Sequence, residues 1–488
     1  MVRLRVNWRR TMEDVAVPLP DRPSRADVER AASEYDRWRR RNGYYYKQLS
    51  RLFRRHVPPG ASVLEIGCQA GDLLAAVGPA NGVGVDTDPA IIEVARGRHP
   101  ELTFLTGGLE RLSADQRFDY VLICNAVGHM ADVQAVFTEV RRFCLPQTRI
   151  IVAYQNALWE PILTLASAIG LRRPVSGQNW LSRDDLGNLF HLAGFEVVRQ
   201  FCEILCPKPL PPLSGLFNRF LVKFWPFKHL ALGVLLVARP LMPVFEPGNE
   251  RVSVIVPTRN ERGNIEPLIR RTPRMGAFTE LIFVDGWSTD GTPDEVRRCV
   301  ALYPDRPIRF IAQEGPKGKG QAVRQGFDAA QGDILMILDA DLTVAPEDLP
   351  KFTRALADGV GEFINGTRLV YPMATQAMRF LNKCGNRSFS LLFTWLIGQR
   401  FRDTLCGTKV LTKSNYERIK AVRGEFGGLD PFGDFDLIFG AARTDLKILE
   451  IPVRYGARAY GQTNIRRFRD GWLLLRMSWR AFWRLRLR

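Results

Sequence analysis

Nowhere in the sequence do about 18 apolar residues follow one another, the length a helix needs to cross a bilayer. The best candidate, HLALGVLLVARPL at His229–Leu241, is too short and ends in Arg239-Pro240, so no membrane span is expected. The basic opening, MVRLRVNWRRTMEDVAV, has no apolar segment behind it, so no secretory signal is expected either. The eight cysteines form no CxxC set, and only Cys202 and Cys206 lie close together. With no histidine or cysteine pair to complete a zinc site, buried free thiols in a reducing cytoplasm are the expectation. The sequons at Asn365 and Asn386 are then chance matches. Short-period repeats and low-complexity tracts are also missing. Acidic residues are in deficit, 51 against 69 lysines and arginines, for a net charge of +18. That excess implies an anionic partner: nucleic acid, an acidic membrane surface or phosphate-bearing substrates. No nucleic-acid module is recognisable, so nucleic acid is not expected.

What is present is two alternations of short apolar runs with amphipathic stretches, the pattern of βαβ units and largely parallel sheets. The first contains SVLEIG, GVGVD, FDYVLIC, RIIVAY, FEVVRQFCEIL and ALGVLLVAR. A proline-rich, charged stretch, RPLMPVFEPGNER, interrupts it. The alternation then restarts with VSVIVPT, ELIFVDG, IRFIAQE, ILMILDAD and GEFING. The expectation is an α/β chain of two Rossmann-like domains, residues 1–246 and 247–488.

In VLEIGCQAGDLL a buried strand reaches Glu65, turns through Gly67 and Gly71 and enters a helix, where glycines let the backbone pass close to a ligand. The next strand ends in Asp86, about 20 residues on, where a carboxylate can grip ribose hydroxyls. No phosphate-binding signature accompanies these residues, which favours an adenosyl ligand over a dinucleotide. With FDYVLICNAVGHM they make this half resemble class I S-adenosylmethionine-dependent methyltransferases over roughly Arg39 to Arg239. The resemblance implies that Glu65, Gly67 and Gly71 line the methionine end, Asp86 holds the ribose, and Asn125 lies near the cofactor. Gln69 stands where that family usually has glycine, and the chain reads TGGLE (Thr106–Glu110) where that family often places an acidic residue near the adenine. Two readings follow: an active methyltransferase, or a non-catalytic domain that binds S-adenosylmethionine as a regulator. His129 is equally a base and a packing histidine, and a packing role is expected for Tyr44, Tyr45 and Tyr46.

In the second half, GDILMILDADLTVAPEDL raises a separate question, because a buried strand ends in Asp339 and Asp341. Two carboxylates so close repel unless a cation or a shared proton lies between them, and a divalent metal is the simplest answer. Together with VSVIVPTRNERGNIEPLI and FVDGWSTDGT, the stretch resembles family-2 glycosyltransferases of the GT-A fold, most closely those similar to dolichyl-phosphate mannosyltransferase, over about Val252 to Gly471. The resemblance implies inverting transfer from a nucleotide-diphosphate sugar. Pro257, Glu261 and Asp285 would line the nucleoside pocket, and Asp339 and Asp341 would hold Mg²⁺ or Mn²⁺. Arg368 would reach phosphate, Arg458 would fold over the diphosphate on a late loop, and Asp403 would be an acceptor-side carboxylate. Gly286 and Thr343 depart from the family pattern, where aspartate and glutamine are common. All five histidines lie before residue 230, so a general base here would be a carboxylate, Asp403 or Asp434 first. A lipid phosphate acceptor needs no base, and a glycan hydroxyl does; both acceptors stay open.

The last stretch, IRRFRDGWLLLRMSWRAFWRLRLR, sets Trp472, Leu475, Trp479 and Trp483 on one helical face beside an arginine stripe. That face either lies on an anionic bilayer or packs its tryptophans against the domain. Pro209–Leu230, rich in aromatics and prolines, is a second candidate contact. The whole reads as a bacterial-type bifunctional fusion of cell-envelope glycan biosynthesis, cytoplasmic and peripheral on the inner membrane face. Its polyprenyl phosphate or glycan acceptor would be met there.

Overall fold

The computed structural model describes residues 23–173, 178–371, 380–426, 433–456, 460 and 467–487. Its first sheet contains β1 (Ser62–Ile66), β2 (Asn81–Asp86), β3 (Thr103–Thr106), β4 (Phe118–Cys124), β5 (Cys144–Gln155), β6 (Phe195–Ile204) and β7 (Gly233–Pro240). Their order is β3-β2-β1-β4-β5-β7-β6, with β7 antiparallel to both neighbours and the rest parallel. The second sheet contains β8 (Arg251–Thr258), β9 (Phe278–Asp285), β10 (Ile308–Ala312), β11 (Ile334–Ile337), β12 (Phe363–Thr367), β13 (Lys409–Thr412) and β14 (Ile448–Pro452). Its order is β10-β9-β8-β11-β13-β12-β14, with only β13 reversed.

These strands read as continuous apolar runs because helices cover both faces of each sheet. Leu64, Ile123, Val152 and Leu236 pack on one side of the first sheet, and Val63, Leu122, Ile151 and Leu235 on the other. The second sheet splits likewise, with Ile255 and Leu335 on one side and Val254 and Met336 on the other. Burying one such side chain stabilises by about 1.5–3 kcal/mol. Each sheet also has a topological switch, where crossovers leave in opposite directions and a crevice opens at the carboxyl ends. It falls between β1 and β4 in the first and between β8 and β11 in the second.

Three strands escape the sequence pattern. β3 has four residues, β13 opens on the charge of Lys409, and β14 is cut short by Pro452. The seven cysteines among the described residues are unpaired. Asn365, one of the sequon asparagines, is fully buried in β12, where its side chain donates to Gly366 and Asp403 carbonyls. No helix among the described residues is long and apolar enough to cross a membrane.

The two sheets are joined by buried ion pairs that no sequence pattern announces. Arg149 of β5 donates from Nη2 to both oxygens of Glu362 at 2.8 and 2.7 Å, and from Nε to the Asp445 carbonyl. Arg199 and His56 both engage the Asp445 carboxylate, and Arg239 reaches the Gly359 and Val360 carbonyls. Burial pushes the Glu362 and Asp445 carboxyls up, but Arg149 with Arg239, and His56 with Arg199, outweigh it and hold both below the usual range. Removing one member of such a pair leaves the other charged and dry, a loss of about 3–5 kcal/mol. Arg149→Ala should therefore lower the urea midpoint markedly, and an unchanged midpoint would show the pair to be dispensable.

Candidate active sites

The two motifs of the first half sit at its switch point. Gly67 (φ 74°) and Gly71 (φ 78°) turn the chain after β1 into the helix Asp72–Val77. A Cβ on Gly67 would lie 2.7 Å from that of Ala126, so the loops after β1 and β4 touch and only glycine fits. Gln69 adopts φ 50°, so the turn keeps its shape without the glycine expected there. Asp86, at the end of β2, accepts from the Gln69 amide at 2.9 Å and the Asp88 amide at 3.1 Å. Burial raises its carboxyl above the ordinary range. Glu65 is 2% exposed, and its Oε2 has no hydrogen-bond partner. Burial pushes this carboxyl well above its usual range.

Asn125 follows β4 at φ 54°, a backbone that asparagine tolerates, and accepts at Oδ1 from the Tyr45 hydroxyl at 3.1 Å. Tyr45 is thus buried against the site, while Tyr35 and Arg39 of the helix Arg25–Arg41 hold Asp72. The structure gathers Glu65, Gly67, Gly71, Asp86 and Asn125 around one crevice. An orphaned buried carboxylate, two glycines that admit a close approach, and a carboxylate at a neighbouring strand end fit S-adenosylmethionine. His129 lies exposed on the rim; burial, Arg172 and Arg173 lower its pKa, so the ring is neutral at physiological pH.

The second site is assembled on the parallel strands β8, β9 and β11. Pro257 closes β8, and Glu261, 9% exposed, receives the Asn264 amide at 2.6 Å. Asp285, ending β9, accepts from the Ser288 amide at 3.0 Å. Asp339 and Asp341 follow β11, next to β8 and on the same sheet edge. Asp341 accepts from the Thr343 amide at 3.1 Å and hydroxyl at 2.7 Å, so Thr343 supports the carboxylate.

Asp339 meets Lys319 Nζ at 2.6 Å. Burial would raise the Asp339 carboxyl, but Lys319, Lys409 and Arg368 together hold it below its usual range. The hard carboxylate oxygens of Asp339 and Asp341, two residues apart at one strand end, make a donor set that suits Mg²⁺ or Mn²⁺. Lys319 was missed in the sequence, although GPKGKGQAV, a glycine–lysine loop entering the helix Lys319–Ala329, carried the signal. Gly407 was missed too: a Cβ there would collide with the Asp339 carboxylate and the Lys319 ammonium.

The remaining expected residues are in ion pairs. Asp403, fully buried, takes Arg368 bidentately at 2.8 Å on each oxygen and also accepts the Arg368 and Leu405 amides. Burial pushes this carboxyl up, and Arg368 more than reverses that, leaving it below the usual range. Asp434 opens the helix Asp434–Arg443 and meets the wholly buried Lys409 at 2.8 Å. The Nε–Nη2 edge of Arg368 is therefore taken by Asp403. Arg458 lies outside the described residues.

Sequence comparison agrees with this division. Residues 253–411 match the family model of glycosyl transferase family 2, and residues 35–200 match a methyltransferase domain. Glycosyltransferase AglJ of Haloferax volcanii is 31% identical over 230 residues, 47% of this chain and 71% of the relative. A dolichol-phosphate mannosyltransferase of Pyrococcus furiosus is 28% identical over 221 residues, 44% of this chain and 59% of the relative. This chain thus spans somewhat over half the length of that second relative. Among solved structures, a SAM-dependent methyltransferase of Thermotoga maritima aligns at 19% identity and a TM-score of 0.34, covering 44% of this chain and 98% of the other. The chain belongs to glycosyl transferase family 2, with a methyltransferase domain ahead of that family's domain in one polypeptide.

Proposed function

We propose that residues 247–488 transfer a sugar, with inversion, from a nucleotide diphosphate to a polyprenyl phosphate, and that residues 1–246 methylate a product of the same pathway. Asp339 and Asp341 would hold Mg²⁺ or Mn²⁺, which offsets the charge growing on the departing diphosphate. Lys319 keeps Asp339 ionised and oriented, and Gly407 leaves room for the pair. Pro257, Glu261 and Asp285 take the nucleoside side, and Arg458 is assigned to the diphosphate.

One observation carries the choice of acceptor. Both carboxylates first in line as a base, Asp403 and Asp434, are consumed in buried ion pairs. Asp403, held below its usual range by Arg368, is a weak base, whereas a phosphate monoester is already ionised and needs none. Similarity to a dolichol-phosphate mannosyltransferase of Pyrococcus furiosus supports the same acceptor.

The acceptor would be met at an anionic bilayer. On the helix Arg467–Ala481, Leu474, Met477 and Ala481 pack inward, and Trp472 and Trp479 stand 72% and 60% exposed. Arg219 covers the Trp483 ring at 5.9 Å, and Phe224 stacks on Trp395, which stacks on Phe482. The insertion at Pro209–Leu230, with Trp225 76% exposed, thereby continues the same aromatic and basic surface. The adopted backbone at Gln69 keeps the cofactor turn in shape, which supports S-adenosylmethionine binding.

The test offers labelled nucleotide sugar and Mn²⁺ with the acceptor carried in anionic vesicles. Polyprenyl phosphate should take up label, and the corresponding polyprenol should not. Trp479→Glu should slow transfer in vesicles and leave transfer to a short, water-soluble polyprenyl phosphate unchanged. Equal labelling of phosphate and alcohol would overturn the acceptor assignment.

A further inference from the structure

Four large apolar side chains of the first half lie outside its cores. Leu158, Ile162, Leu165 and Ile169 are between 55% and 65% exposed. Spaced four, three and four residues apart, they form one stripe along the helix Glu160–Ala168 and its two ends. The helix is already docked by another face, where Trp159 and Leu163 pack on the core that also takes Tyr46 and Cys124. Core formation therefore does not account for the outward stripe. A contiguous exposed patch marks an interaction site, where scattered apolar residues would not. Glu160, the only acid of the helix, falls on the side away from the stripe, since each residue turns the helix by about 100°.

The stripe does not stand alone. Trp159 Nε1 donates to the Leu230 carbonyl at 2.9 Å, and the Asn156 side chain donates to the His229 and Ala231 carbonyls at 3.0 Å each. It thus adjoins the insertion at residues 209–230, where Leu213, Leu216 and Leu230 are exposed as well. The insertion in turn touches the last helix through Arg219 and Trp483. Acids are missing from all three segments: residues 161–183, 204–245 and 471–488 hold arginines but no aspartate or glutamate. A second copy of the chain would set one basic face against another. An anionic bilayer instead supplies hydrocarbon for the leucines and negative charge for the arginines.

The helix leaves the carboxyl end of β5, which runs parallel to β4. The Asn125 amide, just after β4, donates to the Ala153 carbonyl at 2.8 Å, so the two strand ends lie side by side. The crevice between β1 and β4 opens on that same edge of the sheet. We propose that the stripe of Leu158, Ile162, Leu165 and Ile169 inserts into an anionic bilayer and seats the methyltransferase half on the lipid by the edge that carries its crevice. The inference extends the bilayer reading of the last helix to the other half and rests on it, and the test separates the two.

Binding of the full-length protein to vesicles of equal parts phosphatidylcholine and phosphatidylglycerol is measured by co-sedimentation. Ile162→Glu and Leu165→Glu should each lower the partition coefficient by about tenfold, the worth of one apolar side chain leaving water, and the uncharged Leu165→Ser by about fivefold. Thr164→Glu adds the same charge on the far side of the helix, about a screening length away, and should change it by about twofold at most. S-adenosylhomocysteine affinity without vesicles should be unchanged in all four variants, which shows the first half folded. Equal losses in Thr164→Glu and Leu165→Glu would make charge alone responsible and overturn the insertion. A shift in oligomeric state with vesicle binding retained would assign the stripe to a second copy and overturn it too. If Trp479→Glu releases the protein and the stripe variants do not, the inference fails while the last helix stays the anchor. If the unaltered protein ignores the vesicles, the bilayer reading beneath it fails.

Discussion

Asp341→Asn should leave a folded protein whose sugar transfer has fallen by about 10²–10³-fold or more, the scale on which charge-stabilising groups act in a closed site. The substitution is nearly isosteric. The amide oxygen that replaces the carboxylate can still accept from the Thr343 amide and hydroxyl, so the turn after β11 keeps its anchor. What disappears is the negative charge at a buried position 9% exposed, two residues from Asp339. Asp339 alone remains, already neutralised by Lys319 at 2.6 Å, and a divalent cation then faces a donor set with half its formal charge. Initial rates across a Mn²⁺ series should show the loss at every concentration. The melting temperature and S-adenosylhomocysteine affinity should match those of the unaltered protein. Retained transfer would remove the metal from the account.

The second large effect belongs to the other half. Asp86→Ala should weaken S-adenosylhomocysteine binding by about 10²-fold, as expected for losing hydrogen bonds to a charged group at about 1.5–3 kcal/mol each. Asp86 does two things at once. It presents a carboxylate at the end of β2, and it holds the Gln69 amide at 2.9 Å, fixing the turn between Gly67 and Gly71. Asp86→Asn keeps an acceptor for that amide and loses only the charge, so its binding should fall between the two. Isothermal titration measures both, and sugar transfer should be unaffected, since Asp86 lies in the other sheet. A loss of sugar transfer in step with binding would instead mean that the crevice regulates the second half.

How far the sequence reached depended on whether a feature is local. The apolar runs ending in Glu65, Asp86 and Asp339 were legible because a strand covered on both faces cannot alternate, and its end must turn polar. Both switch-point crevices were therefore placed by their motifs before any topology was known. Lys319 was harder: its partner lies 20 residues further on in the chain, and a lysine between glycines reads as an ordinary loop. Lys409 hid β13, because a strand opening on a charge is only tolerable beside an acid such as Asp434, 25 residues away. The pairing of Arg368 with Asp403 was invisible for the same reason. Least legible was the joint between the halves, where Arg149 and Glu362 stand 213 residues apart and each looks like a surface residue in isolation. The exposed tryptophan face of the last helix was drawn correctly from its period, but only packing could tell which side faces outward.

The central claim is a metal-dependent transfer to a lipid phosphate, and one measurement addresses it most directly. The full-length protein is stripped with chelator, then given labelled nucleotide sugar and polyprenyl phosphate, and label in the organic phase is followed before and after excess Mn²⁺ is added. The account predicts no label until the metal is restored, then a steady rise that Asp341→Asn does not show. Label accumulating equally with chelator present would contradict it.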